Sequence, residues 1–119
     1  MCRVMVVDDN PDQVELTVHI LESRGDEVEG YCDPFLALAS AIEKNPDVII
    51  VDQMMPFLEG SQLIREMKKA GVKAKYILLS GLERLTDHPD TRSGLADRYL
   101  KKPLPNDELF QEVHSVLAV

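Results

Sequence analysis

Four points in the chain place polar or charged side chains directly after a run of apolar residues. Asp8 and Asp9 follow Val4–Val7, and Asp52 follows Val48–Val51. Ser80 follows Tyr76–Leu79, and Lys101-Lys102-Pro103 follows Leu100. If the fold gathers them, three carboxylates, a hydroxyl and an ammonium meet. Carboxylates held close repel one another and resist ionising, and a cation relieves that cost. Oxygen ligands of this type suit Mg²⁺, usually held by one or two carboxylates together with waters and phosphate oxygens. Magnesium, a lysine and a hydroxyl are what a transferring phosphoryl group needs, because its equatorial oxygens carry the charge. One carboxylate could itself be the nucleophile and form an aspartyl-phosphate.

Each residue alone has an ordinary explanation. Asp8 or Asp9 suits a cap or turn, Ser80 beside Gly81 suits a turn, and Lys102 before Pro103 suits a solvated surface. Their coincidence at successive run ends is what favours a site. His19, His88 and His114 share no metal-ligand spacing and read as surface or structural side chains. Met54 and Met55 read as a buried turn rather than thioether ligands.

The elements must then bring the run ends together. The apolar runs do not alternate with polar residues, so they read as strands buried on both faces, which means a parallel sheet. Glu27–Tyr31 and Asp97–Leu100 are weaker candidates for outer strands. Asn10 and Pro11 open a first helix, with Gln13 three residues after the cap. Val14, Val18 and Leu21 then follow at helical spacing, with Gly25 as the stop. Asp33-Pro34 opens a second helix, with Leu38 and Ile42 inward. A third runs from about Gly60 through Leu63, Ile64 and Met67 to Gly71. The last begins near Asn106 and turns Leu109, Val113 and Val116 to one side. Continued alternation requires another helix between Leu82 and Leu95. His88-Pro89-Asp90 falls in its middle, where proline removes a backbone donor and clashes with the preceding turn, so a short, shifted or frayed helix is expected. Five strands alternating with helices form a doubly wound α/β fold. Ligands in such sheets sit outside the carboxyl ends of the strands, where all the polar run ends would share one rim.

Composition narrows the function. The 119 residues suit one domain, 1–119. Hydrophobic content of 45% with 29% charged residues fits a soluble globular protein. A net charge of −8 argues against gripping nucleic acid unaided, since phosphate binding needs clustered cations. Arg65, Lys68, Lys69, Lys73 and Lys75 read as a solvated helix end. No apolar run approaches the roughly 18 residues of a membrane span, and the MCRVMVV start reads directly as structure with no signal peptide. Cys2 and Cys32 would lie at opposite ends of neighbouring strands, roughly 16 Å apart, beyond the roughly 7 Å a disulfide tolerates. Free thiols and a reducing cytoplasm are expected.

Four motifs in order, VVDD (Val6–Asp9), DQMMPFLEG (Asp52–Gly60), LLSG (Leu78–Gly81) and YLKKP (Tyr99–Pro103), have a familiar spacing. The chain resembles, over essentially its whole length, the receiver domain of bacterial two-component response regulators. The resemblance implies a flavodoxin-like five-stranded parallel sheet in the order 2-1-3-4-5 with five helices, the fourth irregular here. It implies that Asp52 accepts a phosphoryl group from a phosphohistidine on a sensor histidine kinase or a histidine phosphotransfer protein. Asp9 would bind Mg²⁺ directly, Asp8 would assist partly through water, and Met54 would offer its backbone carbonyl. Lys102 would pair with the phosphoryl oxygens, and the Lys102–Pro103 peptide would be cis. Ser80 would hydrogen-bond the phosphoryl group, and Tyr99 would swing inward behind it. Phosphorylation would then shift an equilibrium at the surface of the fourth helix, fifth strand and fifth helix, read by a downstream effector protein or fused domain, with a phosphorylation-dependent dimer as one form of output. No membrane or direct nucleic-acid partner is implied.

Three departures stand out. Gly81 replaces the commoner alanine, His88-Pro89-Asp90 replaces apolar residues that pin the fourth helix, and apolar Met54 and Leu82 occupy positions that influence the hydrolytic water. That apolar pair is expected to prolong the phosphorylated state. Two rival readings remain. A Mg²⁺-dependent phosphohydrolase of haloacid dehalogenase type also uses a strand-end aspartate, but needs a second acid where Met54 stands. A flavodoxin-like cofactor binder needs a glycine-rich loop where this chain has DDNPD.

Overall fold

Apolar runs become strands here because helices cover both sides of the sheet. The computed structural model describes residues 2–81, 95–102 and 104–118. The strands are β1 (Arg3–Val7), β2 (Glu27–Tyr31), β3 (Val48–Asp52), β4 (Lys75–Ser80) and β5 (Arg98–Lys101). The helices among the described residues are α1 (Pro11–Glu22), α2 (Pro34–Lys44), α3 (Gly60–Lys69) and α4 (Asn106–Leu117). All strands pair in parallel in the order β2-β1-β3-β4-β5, as expected. The irregular helix expected between 82 and 95 lies outside the described residues.

Successive strand residues point to opposite faces. Met5, Val7, Ile49, Val51, Tyr76 and Leu78 pack under Ala37 and Ala41 of α2 and Leu63, Ile64 and Met67 of α3. Val4, Val6, Val48, Ile50 and Ile77 pack under Leu21 of α1 and Leu109, Val113 and Val116 of α4. Full burial of one such side chain contributes about 1.5–3 kcal/mol. A core of this extent can carry a cluster of like charges at its rim.

Helix starts follow the sequence. The Asn10 side chain caps α1 by accepting from Asp12 N–H at 3.0 Å, and Asp33 caps α2 by accepting from Phe35 N–H at 2.8 Å. Gly25, at φ +96°, closes α1 as expected: its N–H donates to Glu22 O at 3.0 Å, and Asp26 N–H beyond it donates to Leu21 O at 3.3 Å. Other expectations are corrected. The inward face of α2 is Ala37 and Ala41, while Ile42 is 48% exposed and Leu38 lies at the margin of the core. Residues 38 and 42 lie about 100° round the helix from the alanines, and the small residues take the side that meets the sheet. The methionine pair divides, with Met55 buried and Met54 61% exposed. Gly30 lies where α1 crosses β2: a Cβ there would stand 2.3 Å from Val14 Cγ1. Cys2 is buried before β1, Cys32 is exposed after β2, and both thiols are free. No described helix is long and apolar enough to cross a membrane.

Candidate functional site

Parallel register carries the strand ends to one rim. Val7 pairs with Val51, Asp52 with Leu79, and Ser80 with Lys101. The next residue of β1 is therefore beside the last of β3, at the switch point of strand order. Asp8, Asp52 and Ser80 are buried there, and Asp9 is exposed. One carboxylate oxygen from each of Asp8, Asp9 and Asp52 lies within 4.8 Å of the others. The Lys102 ammonium donates to Asp8 Oδ2 at 3.0 Å and sits 3.2 Å from Asp52 Oδ1. Its backbone N–H donates to Ser80 O at 2.8 Å, which anchors the lysine to β4. Asp8 is fixed at both ends: its N–H donates to Tyr31 O, and its Oδ1 accepts from Asn10 N–H. The residues proposed from the strand ends thus meet.

Burial, then the charge of Asp8, pushes the Asp52 carboxyl above its ordinary range. Lys102 and a backbone hydrogen bond from Met54 pull it back without cancelling the rise. Burial also works against the Lys102 ammonium, but its bonds to Asp8 and the charges of both aspartates outweigh this and hold it above the usual lysine value. One ammonium therefore faces three carboxylates. The excess of negative charge, carried entirely on oxygen, fits a hard divalent cation such as Mg²⁺.

The loop after Asp52 is held by Gly60, which the motif contains, and by Gln53 and Ser61, which the sequence reading missed. Gly60 packs directly on Asp52: a Cβ there would stand 2.4 Å from the Asp52 carbonyl oxygen. Gln53 is buried, and its side-chain oxygen accepts from Ser61 N–H at 2.9 Å while its amide nitrogen lies 3.3 Å from Ser61 Oγ. Gly60 N–H donates to Gln53 O at 3.1 Å. These bonds tie residues 53–59 back to the start of α3 and so fix where Met54 presents its backbone. The DxxMPxxxG spacing signalled the glycine, but nothing local in sequence paired Gln53 with Ser61. Tyr99 packs at the margin of the core, and its hydroxyl accepts from Ala96 N–H at 2.9 Å. Pro103 and Leu82 lie outside the described residues, as does the peptide expected to be cis. Two surface grooves, of about 680 Å³ beside α1 and about 260 Å³ at the β1–β2 edge, lie away from this rim.

Residues 4–114 match the family model of the response regulator receiver domain. Protein PilH of Pseudomonas aeruginosa is 31% identical, across 99% of each chain. The transcriptional regulatory protein TcrA of Mycobacterium tuberculosis is 28% identical over 96% of this chain but only 45% of its own length. The chain thus spans about half the length of the curated relatives it first matches. Among solved structures, the receiver domain of the Francisella response regulator 1452 superposes with a TM-score of 0.90 at 29% identity, covering 99% of this chain and 98% of that one.

Proposed function

The chain belongs to the response regulator receiver domain family, and from that premise we propose that Asp52 is the phosphoacceptor of a two-component relay. A receiver domain is a signalling switch and not a turnover enzyme, which sets aside the phosphohydrolase reading. The observation that carries the proposal is the shared contact of Lys102 with Asp8 and Asp52 in a pocket of three carboxylates.

An Asp52 carboxylate oxygen attacks phosphorus while the N–P bond of a phosphohistidine breaks. The departing imidazole nitrogen keeps the bonding pair and takes a proton from solvent. Asp9, Asp8, Asp52 and the Met54 carbonyl are the groups that would hold Mg²⁺, which when bound supplies positive charge to the transferring phosphoryl oxygens. Lys102 supplies the second positive charge, already within 3.2 Å of the nucleophile. Ser80, buried at the same rim, offers its hydroxyl to the new phosphoryl group.

Phosphorylation replaces the single charge of the Asp52 carboxylate by the roughly two of a phosphoryl group, next to a lysine now shared with Asp8. Lys102 is drawn to the phosphoryl oxygens, and its backbone bond to Ser80 passes that shift to β4 and β5. Tyr99, paired with Leu78 in register, turns inward behind Ser80. The altered surface around β5 and α4 is read by an effector protein or a fused domain, with dimerisation as one form of output. The donor is a sensor histidine kinase or a histidine phosphotransfer protein. Two free thiols suit a cytoplasmic setting.

Incubation with acetyl phosphate and Mg²⁺, followed by intact mass measurement, tests the chemistry. A gain of one phosphoryl group in the wild type, absent in Asp52→Asn and absent with chelator, is expected. An equal gain in Asp52→Asn would overturn the assignment.

A further inference from the structure

The opposite edge of the sheet holds a second cluster of metal-binding side chains. Cys2 precedes β1 and Asp26 precedes β2, and the pairing of Arg3 with Glu27 sets them side by side. The Cys2 carbonyl accepts from Glu27 N–H at 3.0 Å, fixing that register. His114, on α4, completes the group. Cys2 Sγ lies 3.3 Å from Asp26 Oδ1, and His114 Nε2 lies 3.1 Å from Asp26 Oδ2. One donor atom from each residue falls within 4.8 Å of the other two. We propose that Cys2, Asp26 and His114 form a Zn²⁺ site, with water in the fourth position.

Three observations carry it. The donors are a thiol, an imidazole and a carboxylate, the set that Zn²⁺ binds at about 2.0–2.3 Å in a tetrahedron. The Asp26 carboxylate stands between the other two, with Oδ1 3.3 Å from Cys2 Sγ and Oδ2 3.1 Å from His114 Nε2. With one donor atom of each residue within 4.8 Å of the others, side-chain rotation would bring a single Asp26 oxygen, the sulfur and the nitrogen to the edges of about 3.3–3.6 Å of such a tetrahedron. Secondly, the Asp26 side chain is only 2% exposed, and its ion-pair partner among the described residues is an imidazole rather than a lysine or arginine. A buried carboxylate is costly without a paired cation. Zn²⁺ with one thiolate, one carboxylate and a neutral imidazole brings the local charge to zero. Thirdly, the imidazole is held in place. Its ring packs against Phe110 at 4.3 Å between centroids, tilted by 40°, Arg24 lies over Phe110 at 4.9 Å, and Arg24 pairs with Asp107. His114 is partly exposed, so solvent reaches the fourth position.

On metal binding the thiol proton leaves to solvent, and the imidazole keeps its remaining proton on Nδ1. The competing role for Cys2, a reactive nucleophile, is disfavoured. Burial and the neighbouring Asp26 push its thiol up to about 12, far from the thiolate a nucleophile needs. The site is separate from the phosphoacceptor rim and does not depend on that assignment.

Cobalt titration of the full chain tests it, with protein stripped of metal, kept reduced, and supplied with excess Mg²⁺ to cover the acidic rim. One equivalent of Co²⁺ should give a thiolate-to-cobalt charge-transfer band with the visible bands of a four-coordinate ion, and Zn²⁺ should bleach both. Cys2→Ser should remove the charge-transfer band, and Asp26→Asn and His114→Gln should each weaken Co²⁺ at least tenfold. Cys32→Ser should change nothing. His114→Gln lies on a partly exposed helix face, and its far-UV circular dichroism should stay that of the wild type. A wild type without the thiolate band, a band that follows Cys32, or full affinity in folded His114→Gln would each overturn the site.

Discussion

The two edges of this sheet gather side chains of opposite character. At the carboxyl edge, Asp8, Asp9 and Asp52 offer oxygen alone, and Asp8 and Asp52 share one lysine. At the amino edge, Cys2, Asp26 and His114 offer sulfur, oxygen and nitrogen. Both clusters arise from the same cause, since parallel register sets residues that are distant in sequence next to one another at the strand ends. Donor chemistry separates them. Hard oxygens with an ammonium suit Mg²⁺ and a phosphoryl group, whereas a thiol and an imidazole suit Zn²⁺. Position separates them as well: the carboxyl edge leaves Asp9 open to a partner, while the amino edge lies beneath α4.

The largest expected effect comes from Gly60→Ala. Its Cβ would meet the Asp52 carbonyl at 2.4 Å, so the β3–α3 loop must shift. Overpacking of this kind costs about 1–3 kcal/mol, seen as a lower urea midpoint, and acetyl phosphate should no longer modify the chain efficiently. Cobalt binding at Cys2 should survive, and its loss together with phosphorylation would mean the two edges are not independent.

Asp52→Asn should separate stability from function. The folded carboxyl is held above its unfolded value by burial and Asp8. Between those two values the folded state binds more protons than the unfolded one, so stability falls as pH rises through that window. Asparagine does not titrate. The variant should therefore melt a few degrees higher than the wild type at pH 7, with the gain vanishing below about pH 4. Added Mg²⁺ should stabilise the wild type more than the variant. A variant that melts lower at pH 7 would mean that Lys102 already neutralises the pocket.

The fold was legible because its signals are local. Runs such as Val48–Val51 carry no polar alternation, and both faces of β3 are indeed covered. Asn10 and Asp33 marked helix starts through their capping side chains, and Gly71 marked a helix end through its left-handed backbone. The carboxyl-edge site was legible because the polar residues directly follow the apolar runs. What escaped notice depends on pairing across the fold. Cys2, Asp26 and His114 come from three elements, and the spacing of the histidines gave no hint of the cluster. Gln53 meets Ser61 only once the loop has closed over Gly60. The inward face of α2 was misjudged because Leu38 and Ile42 are the larger apolar residues, whereas the helix turns its alanines to the core.

Smaller effects sharpen the contrast. Met54 is 61% exposed beside the acceptor and offers no polar group to orient water. Replacing it by Asn should speed loss of the phosphoryl group severalfold, followed by intact mass over time, and a slower loss would remove any protective role for the apolar side chain. Alkylation at pH 8 should modify exposed Cys32 well before buried Cys2. Equal rates would place Cys2 nearer the surface than its packing among Val4, Leu109 and Val113 allows.

The central claim is that Asp52 forms the acyl phosphate. Borohydride reduces an acyl phosphate to an alcohol and turns aspartate into homoserine, so peptide mass mapping after acetyl phosphate, Mg²⁺ and borohydride locates the modified residue. The account predicts homoserine at position 52 alone. Homoserine at Asp8 or Asp9, or an unreduced phosphate on Ser80, would contradict it.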